Sequence, residues 1–367
     1  MNLFAYLSAQ TYGNFITQVA IASSVKENFN DSRLVLYFVN DRPYKIPILR
    51  YIRNADFIVQ SPNNAVLPFE CLSQFGPSRL PMPIPGWQEN ALWEADLVFS
   101  GNMLNEDILV GDNALDHVHL TPEDEYLKEQ MNLLKTLGLD TEKWFACVYW
   151  KENNYSFRPP NPIRDIDDNQ PYIEGIDYII EKLGGQVVRL GHFNSTKIKP
   201  RKGLIDLTLI TNSEEVQLAA TYKAKFMVAT GSGPASNANA FGIPILITDL
   251  PEAGDIWGDR SYCLLQSISG GDLDKEYKQT EIYDKGLAPQ AYLDDHILWR
   301  SGKPMKYYYR KNSADEIIDG IKETYEFSQD PKNQVKITSI KNKRNSISFP
   351  LKRNPNLDNL IPFSKRL

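Results

Sequence analysis

The sequence predicts an α/β protein of two domains with mostly parallel sheets, and three observations predict it. The chain opens as strand, helix, strand; a similar succession restarts after a capped amphipathic helix near its middle; and residues 225–252 read as strand, glycine turn, short helix, strand. With 367 residues, 42% hydrophobic and 23% charged, the chain is long enough for two domains of ordinary size. No apolar run approaches the length of a membrane span, and Met1-Asn2-Leu3-Phe4 leads straight into a strand without a basic leader, so the expected location is cytoplasmic. A net charge of -6 argues against a general nucleic-acid binder. Cys71, Cys147 and Cys263 are widely spaced and odd in number, which fits buried thiols better than a disulfide framework or a metal knuckle.

Leu3 to Leu7 is a continuous apolar run of strand length, and Phe15 to Phe29 carries helical spacing through Ile16, Val19 and Ala20. Between them lies the loop Ser8 to Asn14. Arg33 to Val39 is a second buried strand ending in Asn40-Asp41-Arg42-Pro43, and Asp56 to Val59 a third. Open α/β sheets bind ligands at the carboxyl ends of their strands, which makes Tyr12, Gly13, Asn14 and Asp41 the candidates for one side of a site. Six prolines between Ser61 and Gly86 favour an irregular segment, either a plain surface excursion or a functional lid.

Thr121-Pro122-Glu123-Asp124 is a helix start, with a cap, an early proline and acids in the first turn. Tyr126, Leu127, Met131, Leu134 and Leu137 give that helix one apolar face, and Gly138 stops it. Residues 1–138 therefore form the first domain, 139–330 the second, and 331–367 a basic, loosely ordered tail. In the second domain Phe145 to Tyr149 is a strand, followed by a polar loop holding Arg164 and Asp165. A helix from Pro171 to Leu183 ends at Gly184-Gly185, and Gln186 to Gly191 is the next strand and turn. Arg189 has two readings there: a side chain on an exposed sheet face, or a planar fork aimed at phosphate from the strand's carboxyl end.

Phe226 to Ala229 is a further buried strand. It stops at Thr230-Gly231-Ser232-Gly233, and Pro234 to Phe241 is a short small-residue helix, with Ala235 and Ser236 in its first turns. Glycines let backbone approach a ligand, and a helix's first N–H groups form an anion site, so the stretch reads as a diphosphate cradle; the plainer alternative is a tight connection. Ile243 to Ile247 follows as a strand, with Asp249 and Glu252 just beyond it, either holding sugar hydroxyls or serving as turn acids. The spacing is a poor fit to the dinucleotide fingerprint, because Ser236 replaces its third glycine.

The succession Phe145 to Tyr149, Arg164-Asp165-Ile166-Asp167, Tyr172 before an Ile-rich helix, Gly185 to Gly191, and Thr230 to Pro234 resembles a group of bacterial glycosyltransferases of the GT-B type. These are encoded among surface-polysaccharide genes and are distantly similar to heptosyltransferases and O-fucosyltransferases. The resemblance covers roughly Trp144 to Glu252 and the helix from Ser313 to Glu326; the first half carries no specific motif. It implies a GT-B-like pair of facing Rossmann-like domains, a nucleotide-sugar donor held by the second, and a glycan or lipid-linked glycan acceptor on the first. The reaction it implies is glycosyl transfer to a growing surface glycan of the O-antigen or capsule type, with no cofactor and no metal. Arg189 and Arg164 would contact diphosphate, Thr230 to Ser236 would cradle it, and Asp249 or Glu252 would bind a donor hydroxyl. Two departures stand out: Trp150-Lys151 occupies the place where the group often carries arginine, and Asn14 follows Gly13 where heptosyltransferases carry an aspartate. Their catalytic base therefore cannot be carried over to this chain. A nucleotide- or sugar-binding subunit without catalysis, and a nicotinamide enzyme using Gly231-x-Gly233, are the rival readings.

Leu204 to Thr208 and the helix from Glu214 lead into the cradle. Gly270 to Tyr309 is charged, aromatic and irregular, and reads as a surface excursion. Asn312-Ser313-Ala314-Asp315-Glu316 then caps a final amphipathic helix. The basic tail reads as a solvated run, with peripheral contact to anionic lipid headgroups at the inner membrane face as the alternative. His117 and His119 alternate but lack a third ligand nearby in sequence, and His192 and His296 stand alone, so no metal site is expected.

Overall fold

The computed structural model describes residues 1–60 except 8, 10 and 30, then 78–80, 93–100, 119–152, 160–251, 260–278, 281 and 290–330. Glu252, most of the proline-rich stretch and the basic tail lie outside the described residues. The chain divides into two compact units, at Asp124 and Glu125.

The first unit begins with β1 (Asn2–Leu7), α1 (Tyr12–Asn28), β2 (Arg33–Phe38), α2 (Lys45–Leu49) and β3 (Phe57–Gln60). Short strands β4 (Ser78–Leu80), β5 (Trp93–Ala95) and β6 (Leu97–Ser100) follow. β1, β2, β3 and β6 form a parallel sheet in the order β3-β2-β1-β6, and β4 pairs with β5 antiparallel. β1 and β2 are apolar on both faces and buried, as strands of a parallel sheet covered on both sides must be.

The second unit carries α3 (Asp124–Thr136), β7 (Phe145–Tyr149), α4 (Gln170–Glu181), β8 (Gln186–Arg189) and β9 (Leu204–Asp206). It continues with α5 (Glu214–Lys223), β10 (Phe226–Thr230), α6 (Gly233–Phe241), β11 (Ile245–Leu250) and β12 (Ser261–Leu265). These six strands make one wholly parallel sheet, β12-β11-β10-β7-β8-β9. Counted within the unit this is the order 6-5-4-1-2-3, the doubly wound arrangement with its switch point between the first and fourth strands. Alternate residues of each strand serve two cores. Cys147, Tyr149, Val188, Met227 and Ala229 pack with Leu134 of α3, Val216 and Ala220 of α5, and Ala235 and Ala238 of α6. On the other face Ala146, Val148, Val187, Phe226 and Val228 pack with Ile176 and Ile179 of α4.

The helix expected to connect the domains thus belongs, through Leu134, to the second core. Its glycine stop holds: Gly138 has φ 102, and Leu139 N–H bonds back to the Leu134 carbonyl at 3.0 Å.

The surface excursion expected from Gly270 to Tyr309 is corrected. β13 (Ser267–Gly270), β14 (Tyr277–Lys278) and β15 (Tyr307–Arg310) form a small antiparallel sheet, and α7 (Gln290–Arg300) lies between the last two in sequence. Ile268, Tyr277 and Tyr307 give it a core of its own, and buried Asp295 of α7 accepts the Lys306 and Tyr307 N–H groups at 2.6 and 3.0 Å. The last helix, α8 (Ala314–Phe327), begins with the full reciprocal cap: Ser313 Oγ accepts Glu316 N–H, and the Glu316 carboxylate accepts Ser313 N–H. Its Ile317 and Ile321 close the core on α4.

Candidate functional site

The sheet order of the second unit singles out one place for a ligand, beyond the carboxyl ends of β7 and β10, where the chain leaves the two strands toward opposite faces. Thr230 ends β10, and its hydroxyl accepts the Lys151 N–H at 3.0 Å just past β7, so the two strand ends are tied together. Gly231 follows. A Cβ there would meet Leu250 Cδ1 at 2.6 Å, so any larger residue would have to turn the end of that leucine side chain aside.

Ser232 stands at the N-cap of α6 with extended backbone, but its hydroxyl turns back to donate to the Thr230 carbonyl at 2.9 Å, and no side chain caps the helix. Gly233 and Pro234 start the helix, half-buried with Ser236, while Ala235 is buried. In the first turn of α6 Pro234 has no N–H and Ala235 N–H bonds to the Ser232 carbonyl at 3.1 Å, which leaves the N–H groups of Ser232 and Gly233, with the helix dipole, as its free donors. At the other end Gly242 takes the left-handed conformation, φ 67, and Ile243 N–H returns to Ala238 at 2.8 Å. Arg164 comes to the turn from the loop after β7: its Nη2 donates to the Gly231 carbonyl at 3.0 Å, which sets a guanidinium at the mouth of the cradle.

Arg189 is not at this mouth, and the expectation that it meets diphosphate directly is corrected. Its side chain is 1% exposed; Nη2 donates to Glu152 Oε1 at 3.3 Å and Nη1 to Asp206 Oδ2 at 3.0 Å. The guanidinium lies 4.1 Å from the centre of the Trp150 ring. Trp150 Nε1 donates to the same Glu152 oxygen at 2.5 Å, while Glu152 Oε2 accepts Thr196 N–H at 2.7 Å. Arg189 is therefore the centre of a buried ion triad that fixes the first residues after β7.

Asp249 is engaged inside the fold in the same way. It is 3% exposed, Oδ2 accepts the Tyr172 hydroxyl at 2.5 Å, and Oδ1 accepts Asn312 N–H at 2.6 Å. Asn312 Oδ1 accepts the Asp249 N–H in return, at 2.6 Å. Burial pushes its carboxyl above the usual range, against the opposing pull of the Tyr172 hydrogen bond, the Asn312 N–H and Lys311. The residue is held at φ 50, where the ladder between β11 and β12 shifts register. Both carboxylate oxygens thus serve the junction of β11, α4 and the start of α8.

Sequence reasoning missed Gln266 and Lys311, which meet at one carbonyl. Gln266 is fully buried and its Nε2 donates to Ile163 O at 2.7 Å and to Asp249 O at 2.8 Å. Lys311 Nζ donates to the same Ile163 carbonyl. Burial lowers the Lys311 ammonium to about 8, opposed by Asp249, Asp165 and Asp167 and reinforced by Arg164. Nothing in the local pattern of Tyr308-Tyr309-Arg310-Lys311 separates a half-buried lysine from a solvated one.

In the first unit the acceptor-side candidates gather at the carboxyl ends of β1 and β2. Tyr12 begins α1 with half-buried Gly13 and exposed Asn14, and its ring meets the edge of Tyr44 at 5.0 Å. Asp41 is exposed and pairs with buried Lys45 at 2.8 Å, while Lys45 Nζ also donates to Val39 O at 2.9 Å. Burial is the main cause that pushes the Tyr44 phenol up to about 12. Among the described residues no cluster of three metal-ligating side chains occurs, and no helix is long and apolar enough to cross a membrane.

Two units built on parallel sheets, one of them doubly wound with its switch point at the start of α6, place the chain in the GT-B-like class of α/β folds. Comparison with solved structures agrees. A family 9 glycosyl transferase from Veillonella parvula matches with a TM-score of 0.52 at 12% identity, over 88% of this chain and 97% of that one. The ADP-heptose lipopolysaccharide heptosyltransferase II of Escherichia coli matches with a TM-score of 0.50 at 10% identity, over 90% of this chain and all of that one. No family model matches the sequence, and no curated protein does.

Proposed function

We propose that this protein is a glycosyltransferase that takes a sugar from a nucleotide-sugar donor and passes it to a growing surface glycan. The observation that carries the reading is the uncapped first turn of α6 at the switch point of the six-stranded sheet, with the Arg164 guanidinium 3.0 Å from the Gly231 carbonyl. A diphosphate seated there would accept from backbone N–H groups and a planar cation. As the acceptor hydroxyl oxygen bonds to the anomeric carbon and gives up its proton to water, the bond to the diphosphate oxygen breaks and negative charge grows on the leaving group. Donors already in place stabilise that charge more than they stabilise the ground state. In this reading the helix dipole and Arg164 supply the charge that a metal supplies elsewhere. Arg189 holds the loop after β7 in place, and Asp249 fixes the end of β11. Tyr12, Gly13, Asn14 and Asp41 serve the acceptor.

The donor of the Escherichia coli neighbour is named in its description as ADP-heptose, which makes ADP-sugars the first donors to test here. A thermal-shift panel of the ribonucleoside diphosphates tests the site, since a ligand at about 100 times its dissociation constant adds about 2.7 kcal/mol. Stabilisation by a diphosphate, followed by donor-dependent sugar transfer, supports the reading. Stabilisation without transfer to any glycan acceptor returns the protein to a binding role, and a response to reduced nicotinamide cofactor alone overturns the reading.

A further inference from the structure

The chain from Gln266 to Lys311 stands outside the doubly wound sheet, and it leaves and returns at one place. β12 completes the six strands at Leu265, and Asn312 Nδ2 donates to the Leu265 carbonyl at 3.2 Å, so the two ends of this appendage are tied side by side. Between them β13, β14, β15 and α7 are held by Ile268, Tyr277 and Tyr307 and by the Asp295 carboxylate. Among the described residues none from 266 to 311 enters either core of the parallel sheet.

Three side chains of the appendage reach instead for one turn. Gln266 Nε2 donates to Ile163 O at 2.7 Å, Lys311 Nζ donates to the same oxygen, and Trp299 Nε1 donates to Pro160 O at 2.8 Å. The grip thus comes from both ends of the appendage and from its helix, and it uses both lone pairs of the Ile163 carbonyl. The turn itself is closed. Asp165 Oδ2 accepts the Asn161 N–H at 2.7 Å, Asn161 O accepts the Arg164 and Asp165 N–H groups at 3.0 and 2.8 Å, and Asn161 Oδ1 accepts the Ile163 N–H at 3.0 Å. Holding Pro160 and Ile163 therefore fixes where the Arg164 side chain begins, and its Nη2 reaches the Gly231 carbonyl 67 residues away in sequence. Arginine has many rotamers to lose, so a guanidinium already set in place binds an anion at a smaller entropic cost.

We propose that the appendage is part of the donor site and acts through Arg164: Trp299 and Gln266 are positioning residues that hold turn 160–165 so that the guanidinium is in place before a nucleoside diphosphate arrives. This rests on the donor reading above. Residues that touch no ligand then set diphosphate affinity, and they do so only while Arg164 is present.

The test is a double-mutant cycle in the full chain, read by calorimetric binding of ADP, GDP, UDP and CDP. W299F keeps a ring beside His296 and removes the N–H to Pro160, while Q266L removes the donor to Ile163 O and Asp249 O. Each is made with Arg164 present and again with R164A. For whichever diphosphate the wild type binds, W299F should weaken binding about 2- to 10-fold, the worth of one hydrogen bond, and Q266L at least as much. Neither should weaken it further once Arg164 is alanine. A folded W299F that binds as the wild type does, or that loses the same factor in both backgrounds, overturns the proposal and leaves the donor reading standing; W299F decides alone if Q266L fails to fold. Loss of the fold in both makes the appendage purely structural and overturns the proposal. Full affinity in R164A takes Arg164 out of the site and the positioning role with it. A wild type that binds none of the four diphosphates overturns the donor reading, and this assignment with it.

Discussion

The Tyr172 hydroxyl donates to Asp249 Oδ2 at 2.5 Å across 77 residues of sequence, joining the start of α4 to the end of β11. Thr248 Oγ1 lies 2.6 Å from the same phenol oxygen, so the three side chains form a short buried chain of hydrogen bonds. Tyr172→Phe would leave the Asp249 oxygen buried without that donor. An expected loss of about 1–3 kcal/mol in urea unfolding follows, the cost of one unsatisfied buried acceptor. Unfolding midpoints that coincide for the two proteins would show that water replaces the phenol.

Arg189→Ala should be a folding variant before it is a catalytic one. Removing the guanidinium leaves Glu152 and Asp206 facing each other's side of the same buried space, and breaking a buried ion pair by deleting one partner costs about 3–5 kcal/mol. Arg189→Lys keeps one charge but cannot serve both carboxylates and lie over the Trp150 ring, so it should fall between. Equilibrium denaturation followed through tryptophan fluorescence measures both; full stability in the alanine variant refutes the structural role.

Gly233→Val places a β-branched side chain on the first residue of α6, where a phosphate would approach. Nucleoside diphosphate stabilisation should disappear while the melting temperature without ligand changes little. Gly231→Ala should behave differently and lose stability by about 1–3 kcal/mol, because its new methyl must push against Leu250 Cδ1. Equal ligand shifts in wild type and Gly233→Val would place the anion elsewhere.

Lys311 gives a pH dependence of stability with a definite sign. Its folded value, about 8, lies below the ordinary 10.5, so the unfolded chain binds the proton more tightly. Between those two values the unfolded state carries more protons, and stability rises with pH through that window. Urea midpoints of wild type minus Lys311→Met should therefore climb from about pH 8 to about pH 10. Parallel profiles would mean the amine is solvated.

Most of the second unit could be read before the structure was known, and the reason is local. Phe145 to Tyr149 and Phe226 to Thr230 are unbroken apolar runs ending in turn residues, and Gly242 before Ile-Pro marks a helix end that only a left-handed residue makes comfortably. Direction is what the pattern leaves out. A strand covered on both faces has no polar face to report which way each residue points, so Arg189 could be placed at a strand end but not turned inward. Its partners Glu152 and Asp206 come from the end of β7 and from β9, positions that sequence spacing does not pair. The small sheet of β13, β14 and β15 was missed because its strands are two to four residues long and the last two consist of tyrosines with a charged residue. Lys311 went unseen for a similar reason: Ile163 lies 148 residues away in sequence.

Asp249 also limits how this chain can diverge. At φ 50 a backbone accepts glycine, asparagine or aspartate readily and β-branched residues hardly at all. Of those three, glycine supplies no oxygen for Tyr172 or Asn312. A descendant sequence is thus confined at this position to aspartate and asparagine, and can exchange the first for the second only while position 172 offers an acceptor to the new amide N–H, because the single amide oxygen is needed by the Asn312 N–H. The pair would drift together or not at all, which gives the end of β11 a signature that family members should share even where the rest of the chain has become unrecognisable.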